Sequence, residues 1–129
     1  MLLDTHAVLW LLADDPRLGP QARSAISKAS ESLVSAASLW EIAIKSSLGK
    51  VRVPDDLPRR IVDSGLSWLP VTAAHSWAVR SVEGLPHRDP FDRLLLAQAA
   101  TESVSFLTGD RVLLDADLRP GVKTVDASA

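Results

Sequence analysis

Residues 1–13 read MLLDTHAVLWLLA, and this stretch decides how the chain begins to fold. Three apolar residues precede Asp4, and a short apolar run of this kind predicts a buried β-strand. The residues from Thr5 to Ala13 are apolar nearly all round, which predicts a helix that packs inside the protein. Asp4 stands at the junction, where a carboxylate commonly accepts hydrogen bonds from the first N–H groups of a helix. The chain is therefore expected to open with a strand, an acid and a buried helix.

The same alternation of short apolar runs and helical patterns continues to the end of the chain. Further strands are predicted at Leu33–Ser35, Trp68–Val71, Val104–Leu107 and Val122–Val125. Further helices are predicted after Pro20, from about Ser38 to Leu48, after Asp56, after Thr72, from Asp89 to Glu102 and from Asp110 to Asp117. This order is typical of an α/β protein with an open, mostly parallel sheet of about five short strands and helices on both faces. No linker or repeat divides the chain, so we predict a single domain over residues 1–129.

Composition excludes several classes of protein. The chain has no cysteine, which excludes disulfide frameworks, zinc–thiolate sites and cysteine nucleophiles. No apolar run is long enough to span a bilayer, and the first residues lack the basic start of a signal peptide. We therefore expect a cytoplasmic protein without membrane contact. The net charge of −2 disfavours nucleic-acid binding, but acids gathered around a metal ion would leave the remaining surface more basic.

Three acids occupy the ends of predicted strands or the starts of predicted helices. Asp4 and Asp110 each follow a strand directly, and the carboxyl ends of parallel strands are where α/β sheets bind ligands. Taken alone, both are explained as well or better as helix N-caps. Asp92 lies in the first turn of a helix, on an apolar line with Leu95 and Ala99. A carboxylate on such a line is costly to bury unless it is paired or binds a metal, so we favour a functional role for Asp92.

A fourth acid, Glu41, lies inside an apolar helix that can cover the same edge of the sheet. Its alternative explanation is an ion pair with Lys45 at the favourable i,i+4 spacing, and both explanations stay open. Crowded carboxylates repel one another unless a cation intervenes, and oxygen ligands suit Mg²⁺ or Mn²⁺. Such ions assist phosphodiester hydrolysis. The acids therefore predict a site for one or two divalent cations.

Four segments, in this order, resemble the PIN domain family and more closely the VapC-type toxins of type II toxin–antitoxin pairs. The segments are Leu2–Ala7, Ser38–Lys45, His87–Ala99 and Leu107–Asp110. The resemblance implies a PIN-like fold and an Mg²⁺- or Mn²⁺-dependent endoribonuclease that hydrolyses RNA phosphodiester bonds by metal-activated water. The catalytic and metal-binding residues that it implies are Asp4, Glu41, Asp92 and Asp110. It also implies a homodimer inhibited by a cognate antitoxin, so that operator DNA is contacted only through the antitoxin.

Residues beside these acids are candidates for substrate contact. The predicted RNA-binding side chains are Thr108, His87, Arg93 and Lys45. Thr108 matches a small polar residue often found near the site in the family. The stretch from Arg111 to Asp126 departs from the regular family pattern, which leaves Asp115 and Asp117 as alternative outer ligands.

Two other functions compete with the nuclease hypothesis. A receiver-type phosphoacceptor domain needs a pair of acids after its first strand, whereas here only Asp4 occupies that place. A non-catalytic PIN-like module that binds RNA or protein remains the second alternative, although such a module need not retain all four acids. Two expectations concern the helix after Thr72: its apolar stripe includes Trp77, and His75 is exposed.

Overall fold

A computed structural model describes all residues from Met1 to Ala129. It contains five short strands, which are β1 (Leu2–Leu3), β2 (Leu33–Ser35), β3 (Ser67–Leu69), β4 (Phe106–Thr108) and β5 (Thr124–Asp126). They form one sheet in the order β3-β2-β1-β4-β5, and every neighbouring pair is parallel. The predicted α/β fold with an open parallel sheet is confirmed.

Seven α-helices connect and cover the strands. They are α1 (Thr5–Leu12), α2 (Pro20–Lys28), α3 (Ala36–Ser47), α4 (Leu57–Asp63), α5 (Ala73–Ala78), α6 (Pro90–Thr101) and α7 (Arg111–Asp115). The cap of α3 is Ser35, three residues before the predicted Ser38, because the Ser35 hydroxyl accepts the Ala37 N–H at 3.0 Å. None of the seven helices has the length and apolarity needed to cross a bilayer.

The sheet separates two hydrophobic cores. Successive strand residues point to opposite faces, so Leu3 packs with α1, α2 and α4, whereas Leu2 packs with α6 and α7. Leu107 and Phe106 of β4 divide in the same way. Both faces are therefore apolar, which explains why these strands read as continuous hydrophobic runs rather than alternating ones.

The order of the strands places a crevice at the centre of the sheet. From β1 the chain proceeds to β2 and β3 on one side, then returns to add β4 and β5 on the other side. The direction of winding therefore changes between β1 and β4, and open α/β sheets bind ligands outside the carboxyl ends of strands at such a point. Asp4 follows β1 there, and Asp110 follows β4 two residues after its last residue.

The helix after Thr72 differs from the prediction. The α-helix ends at Ala78 and is followed by a single 3₁₀ turn. Trp77, which was expected in the apolar stripe, is 68% exposed, and His75 is buried. The His75 ring is drawn inward because its Nδ1 accepts the Thr72 N–H at 3.1 Å and its Nε2 lies 2.8 Å from a Glu102 oxygen. The expectation of an exposed His75 was wrong because tertiary partners, invisible in a helical stripe, satisfy both ring nitrogens.

Candidate metal and active site

Asp4 is held at the floor of the crevice by two hydrogen bonds. Its Oδ1 accepts the Thr5 N–H at 2.7 Å, which makes Asp4 the N-cap of α1. Its Oδ2 accepts the Thr108 hydroxyl, also at 2.7 Å. Only 7% of Asp4 is exposed, and the capping role does not exclude a ligand role because each carboxylate oxygen has a second lone pair.

Thr108 joins the two strand-end acids. It is fully buried at the end of β4, where its hydroxyl donates to Asp4 and accepts the Asp110 N–H at 3.0 Å. A hydroxyl with no exposure and two protein partners does not face a substrate. The predicted substrate contact of Thr108 is therefore corrected to a positioning role, in which Thr108 aligns the Asp4 carboxylate with the turn that carries Asp110.

Asp92 and Asp110 approach each other with His87. Asp92 lies in the first turn of α6, below the N-cap Asp89, whose carboxylate accepts the N–H groups of Phe91 and Asp92. One candidate ligand atom from each of His87, Asp92 and Asp110 lies within 4.8 Å of the other two. His87 Nε2 is 3.3 Å from an Asp92 oxygen. Asp110 also caps α7 by accepting the Val112 N–H at 2.9 Å.

Glu41 reaches the same region from α3, which packs against both α1 and α6. Its side chain is largely buried, and Lys45 Nζ lies 2.9 Å from its Oε2. The ion pair anticipated from the i,i+4 spacing therefore exists. Glu41 and Asp4 lie outside the close group of ligand atoms formed by His87, Asp92 and Asp110, but the negative charge of Glu41 raises the pKa of both Asp4 and Asp92.

The carboxylates of the site are electrostatically coupled. Burial, followed by the negative charges of four neighbouring acids, raises the pKa of Asp92 to about 7. Those neighbours are Asp4, Asp89, Asp110 and Glu41. Burial also raises the pKa of Asp4, against the lowering effect of its hydrogen bonds from Thr108 and Thr5. The negative charges of these acids therefore oppose the ionisation of Asp92.

This donor set fits a divalent cation. Crowded carboxylate oxygens are the ligands that Mg²⁺ and Mn²⁺ take in proteins, and a cation would relieve the repulsion that raises the pKa of Asp92. The nitrogen of His87 suits Mn²⁺ better than Mg²⁺. Asp115 and Asp117 are exposed, and neither belongs to the group of ligand atoms around Asp92.

Arg93 contacts the backbone of the segment before α6. Its guanidinium donates to the carbonyls of Val82 and His87 at 3.3 and 3.5 Å, so it ties down the loop that carries His87. These bonds use two of the five N–H donors of the guanidinium, so the predicted RNA contact of Arg93 stays a prediction. Lys45, 40% exposed, keeps part of its side chain available beside its ion pair with Glu41.

Sequence reasoning missed two residues of the site. Asp89 entered the prediction only as the start of a helix, yet its charge also raises the pKa of Asp92. The signal was present in two acids three residues apart at one helix start. His6 is exposed, and its charge lowers the pKa of Asp4.

The comparisons with known proteins agree with this geometry. The model of the PIN domain family matches residues 1–118. This chain belongs to the PIN domain family. Among characterised relatives, it is similar to Ribonuclease VapC22 of Mycobacterium tuberculosis, with 31% identity over 123 residues that cover 88% of each chain.

Solved structures share the fold of this PIN domain at low sequence identity. A VapBC2 complex of Rickettsia felis bound to a promoter DNA fragment matches with a TM-score of 0.69 and 14% identity, over 97% of this chain and 96% of that one. A DNA-bound VapBC of Salmonella typhimurium matches with a TM-score of 0.64 and 17% identity, over 97% and 96%. A toxin–antitoxin complex of Klebsiella pneumoniae matches with a TM-score of 0.62 and 16% identity, over 98% and 96%.

Proposed function

We propose that this PIN domain is an endoribonuclease dependent on Mg²⁺ or Mn²⁺ and the toxin of a type II toxin–antitoxin pair. The observation that supports the proposal is a set of four acids from separate elements around the crevice, in which Asp92 and Asp110 lie close together and the charges of Asp4 and Glu41 act on Asp92. They are Asp4, Glu41, Asp92 and Asp110, and the charges of the other three raise the pKa of Asp92. A structural role alone would not require acids that destabilise one another.

The four acids have different surroundings, and each would have a different role in the reaction. Asp4 is the most rigid, since Thr5 and Thr108 fix both of its oxygens, and it would anchor one or two cations. Asp92 and Asp110 would complete the ligation from opposite sides of the crevice. Glu41, neutralised in part by Lys45, would accept a proton from the attacking water. His87 would contact the substrate phosphate or the leaving oxygen beside Asp92.

When bound, a divalent cation supplies positive charge that polarises the phosphate, activates water and neutralises the leaving oxygen. We expect in-line attack by water, which leaves 3′-hydroxyl and 5′-phosphate ends on the RNA. RNA products with 2′,3′-cyclic phosphate ends would contradict this route.

The proposed partner is a cognate antitoxin that blocks the site, with a homodimer as the form of the toxin. Support comes from the relative named as a VapC ribonuclease and from fold neighbours solved as toxin–antitoxin complexes. DNA would then be contacted only through the antitoxin. The proposed RNA substrate and this partner would both be met in the cytoplasm.

The test is cleavage of total RNA by the purified chain in Mg²⁺, Mn²⁺ or EDTA, with the Asp92→Asn variant beside the wild type. Asn cannot carry the ligand charge, so we expect cleavage to fall at least about 100-fold. Asp92→Asn also relieves repulsion and should melt no lower than the wild type in EDTA, which separates lost chemistry from misfolding.

The matched control is Asp117→Asn, which removes the same charge from an exposed residue. We expect it to retain wild-type cleavage, which would exclude Asp117 as the outer ligand. Discrete fragments that require metal and disappear only with Asp92→Asn would support the nuclease. A well-folded wild type without cleavage in either metal would favour a non-catalytic binding module.

A further inference from the structure

A groove with a volume of about 560 Å³ opens beside the carboxylate site. We call it the α1 groove, because α1 forms one wall; α3, the start of α4 and the segment at residues 50–54 form the others. Its apolar lining includes Leu9, Trp10, Val51 and Val53, and its inner end reaches Thr5, next to Asp4. The volume is within the range of about 300–1,000 Å³ that is usual for ligand sites.

The charge of the groove is opposite to that of the whole chain. Five of the fourteen Lys and Arg residues line it, together with one of the sixteen acids. The five are Arg17, Lys45, Lys50, Arg52 and Arg60. In a chain of net charge −2, this concentration creates a local positive potential that attracts a polyanion.

Two of the five cations are free of acidic partners. Lys45, Arg17 and Arg60 pair with acids, whereas Lys50 and Arg52 have no carboxylate within 4.0 Å. Apolar and basic residues alternate along the extended segment at residues 50–53. Because successive side chains of an extended segment point to opposite sides, Val51 and Val53 pack on the core and Lys50 and Arg52 are exposed. These two exposed charges are available to phosphate groups.

An aromatic pair connects the groove to the carboxylates. The rings of His6 and Trp10, one helical turn apart on α1, are stacked with centroids 6.2 Å apart and planes at 23°. The Arg17 guanidinium lies 5.2 Å from the centre of the Trp10 ring. His6 is exposed and lines the groove, and exposed aromatic rings beside cationic side chains are typical of sites that bind single-stranded nucleic acid.

Resting on the proposed nuclease function, we infer that the α1 groove is the subsite that holds single-stranded RNA next to the bond to be cleaved. One base stacks on His6, and Lys50 and Arg52 contact the backbone phosphates of the flanking nucleotides. The groove adjoins the carboxylate site, since Thr5 and Lys45 line the groove and contact Asp4 and Glu41. RNA in this groove would therefore lie next to two of the proposed metal ligands.

The first experiment measures RNA affinity without cleavage. Fluorescence anisotropy of a fluorescein-labelled, mixed-sequence 12-nucleotide RNA is recorded in EDTA as a function of salt concentration. Lys50→Ala with Arg52→Ala is compared with Lys28→Ala with Lys123→Ala, which removes the same charge from exposed residues remote from the groove. We expect the groove variant to bind about tenfold more weakly and its log K against log salt slope to be shallower by about 1.4, with the control within about twofold of the wild type.

The second experiment tests the stacking residue. His6→Ala should weaken binding at least about fivefold, whereas His6→Phe, which keeps an aromatic face and loses the imidazole nitrogens, should restore it to within about twofold. Photo-crosslinking with 4-thiouridine in the same RNA should modify peptides that contain His6 or residues 50–54. Melting temperatures verify that each variant is folded.

Several results would overturn the subsite. They are no binding by the wild type at low salt, equal losses in the groove variant and its control, equal affinities for His6→Ala and His6→Phe, or crosslinks confined to other elements. These results would favour a partner protein segment with apolar and acidic side chains as the occupant. Binding is measured in EDTA and cleavage in Mg²⁺ or Mn²⁺. RNA binding that depends on these residues, without cleavage in either metal, would refute only the nuclease, and wild-type cleavage that these variants leave unchanged would refute only the subsite.

Discussion

Two clusters of buried polar side chains in this domain differ in how their members satisfy one another. In the His75 cluster, between α5 and α6, the ring accepts the Thr72 N–H and lies 2.8 Å from Glu102, while Gln98 lies 3.3 Å from Nδ1. In the carboxylate site, acids from β1, α3, α6 and the β4–α7 junction face one another and raise the pKa of Asp92 to about 7. The first cluster is complete with protein groups alone, apart from one unpaired oxygen of Gln98.

The difference separates a structural cluster from a functional one. Complementary donors and acceptors lower the free energy of the folded state, whereas buried like charges raise it unless another charge is bound. A polar cluster that opposes folding persists when it serves the activity. Both clusters contact α6, so the hydrophobicity of the nearby sequence does not distinguish them. The hydrogen-bond partners and charges of their members do.

The largest loss of stability is expected from a change in the His75 cluster. His75→Ala removes a buried ring and leaves the Thr72 N–H without its acceptor and the Gln98 amide with only the Pro70 carbonyl, so unfolding free energy should fall by about 3 kcal/mol. Urea denaturation at pH 7.5 measures it, and Ser76→Ala, an exposed neighbour, is the control. RNA cleavage per folded molecule should not change. A loss of cleavage without a loss of stability would break the distinction between the clusters.

A smaller loss of stability is expected from a change at Thr108, which hydrogen-bonds to both Asp4 and Asp110. Thr108→Val keeps the shape of the side chain but removes the donor to Asp4 and the acceptor for the Asp110 N–H. Unfolding free energy should fall by about 2 kcal/mol, because a buried carboxylate loses a charge-assisted bond. Thr108→Ser retains the hydroxyl and should lose less than half as much. Equal losses in the two variants would show that packing, not the hydrogen bond, is the contribution of Thr108.

The smallest expected change is a gain in stability, caused by Asp92→Asn. The folded state raises the pKa of Asp92 from 3.8 to about 7, so it binds a proton more tightly than the unfolded chain does. Its stability therefore falls as pH rises between about 4 and 7, and the full penalty applies above pH 7. Asp92→Asn should stabilise the protein by about 1–2 kcal/mol at pH 8 in EDTA, after allowance for solvent screening, and hardly at all at pH 4.

Urea denaturation of wild type and variant at both pH values checks this prediction. Asp55→Asn, which changes an exposed acid, should give no pH-dependent difference. Saturating Mn²⁺ should narrow the gap at pH 8, because a bound cation stabilises the wild-type carboxylate and not the amide. A gap that is the same at both pH values would mean that Asp92 is not part of a repelling group.

The parallel sheet and the positions of the strand-end acids were predictable because they follow from local chemistry. Short apolar runs alternate with helical patterns, and Pro90 and the caps at Asp4, Asp89 and Asp110 mark where helices begin. The start of α3 was placed too late, because Ser35 and Ser38 are equally good caps and only the path of β2 selects between them. The inward turn of His75 was missed for the same reason, since its partner Glu102 is 27 residues away.

The sequence by itself determined the fold class and the helix starts at Asp4, Asp89 and Asp110, because strand and helix periods and caps depend on neighbours within a few residues. Tertiary structure alone decided that Thr108 positions Asp4, that Arg93 holds a loop, and that Lys50 and Arg52 face a groove beside His6. These arrangements join residues far apart in the chain, and their physical basis is the packing of α1, α3 and α6 around one sheet. No local pattern encodes which side chains such packing will bring together.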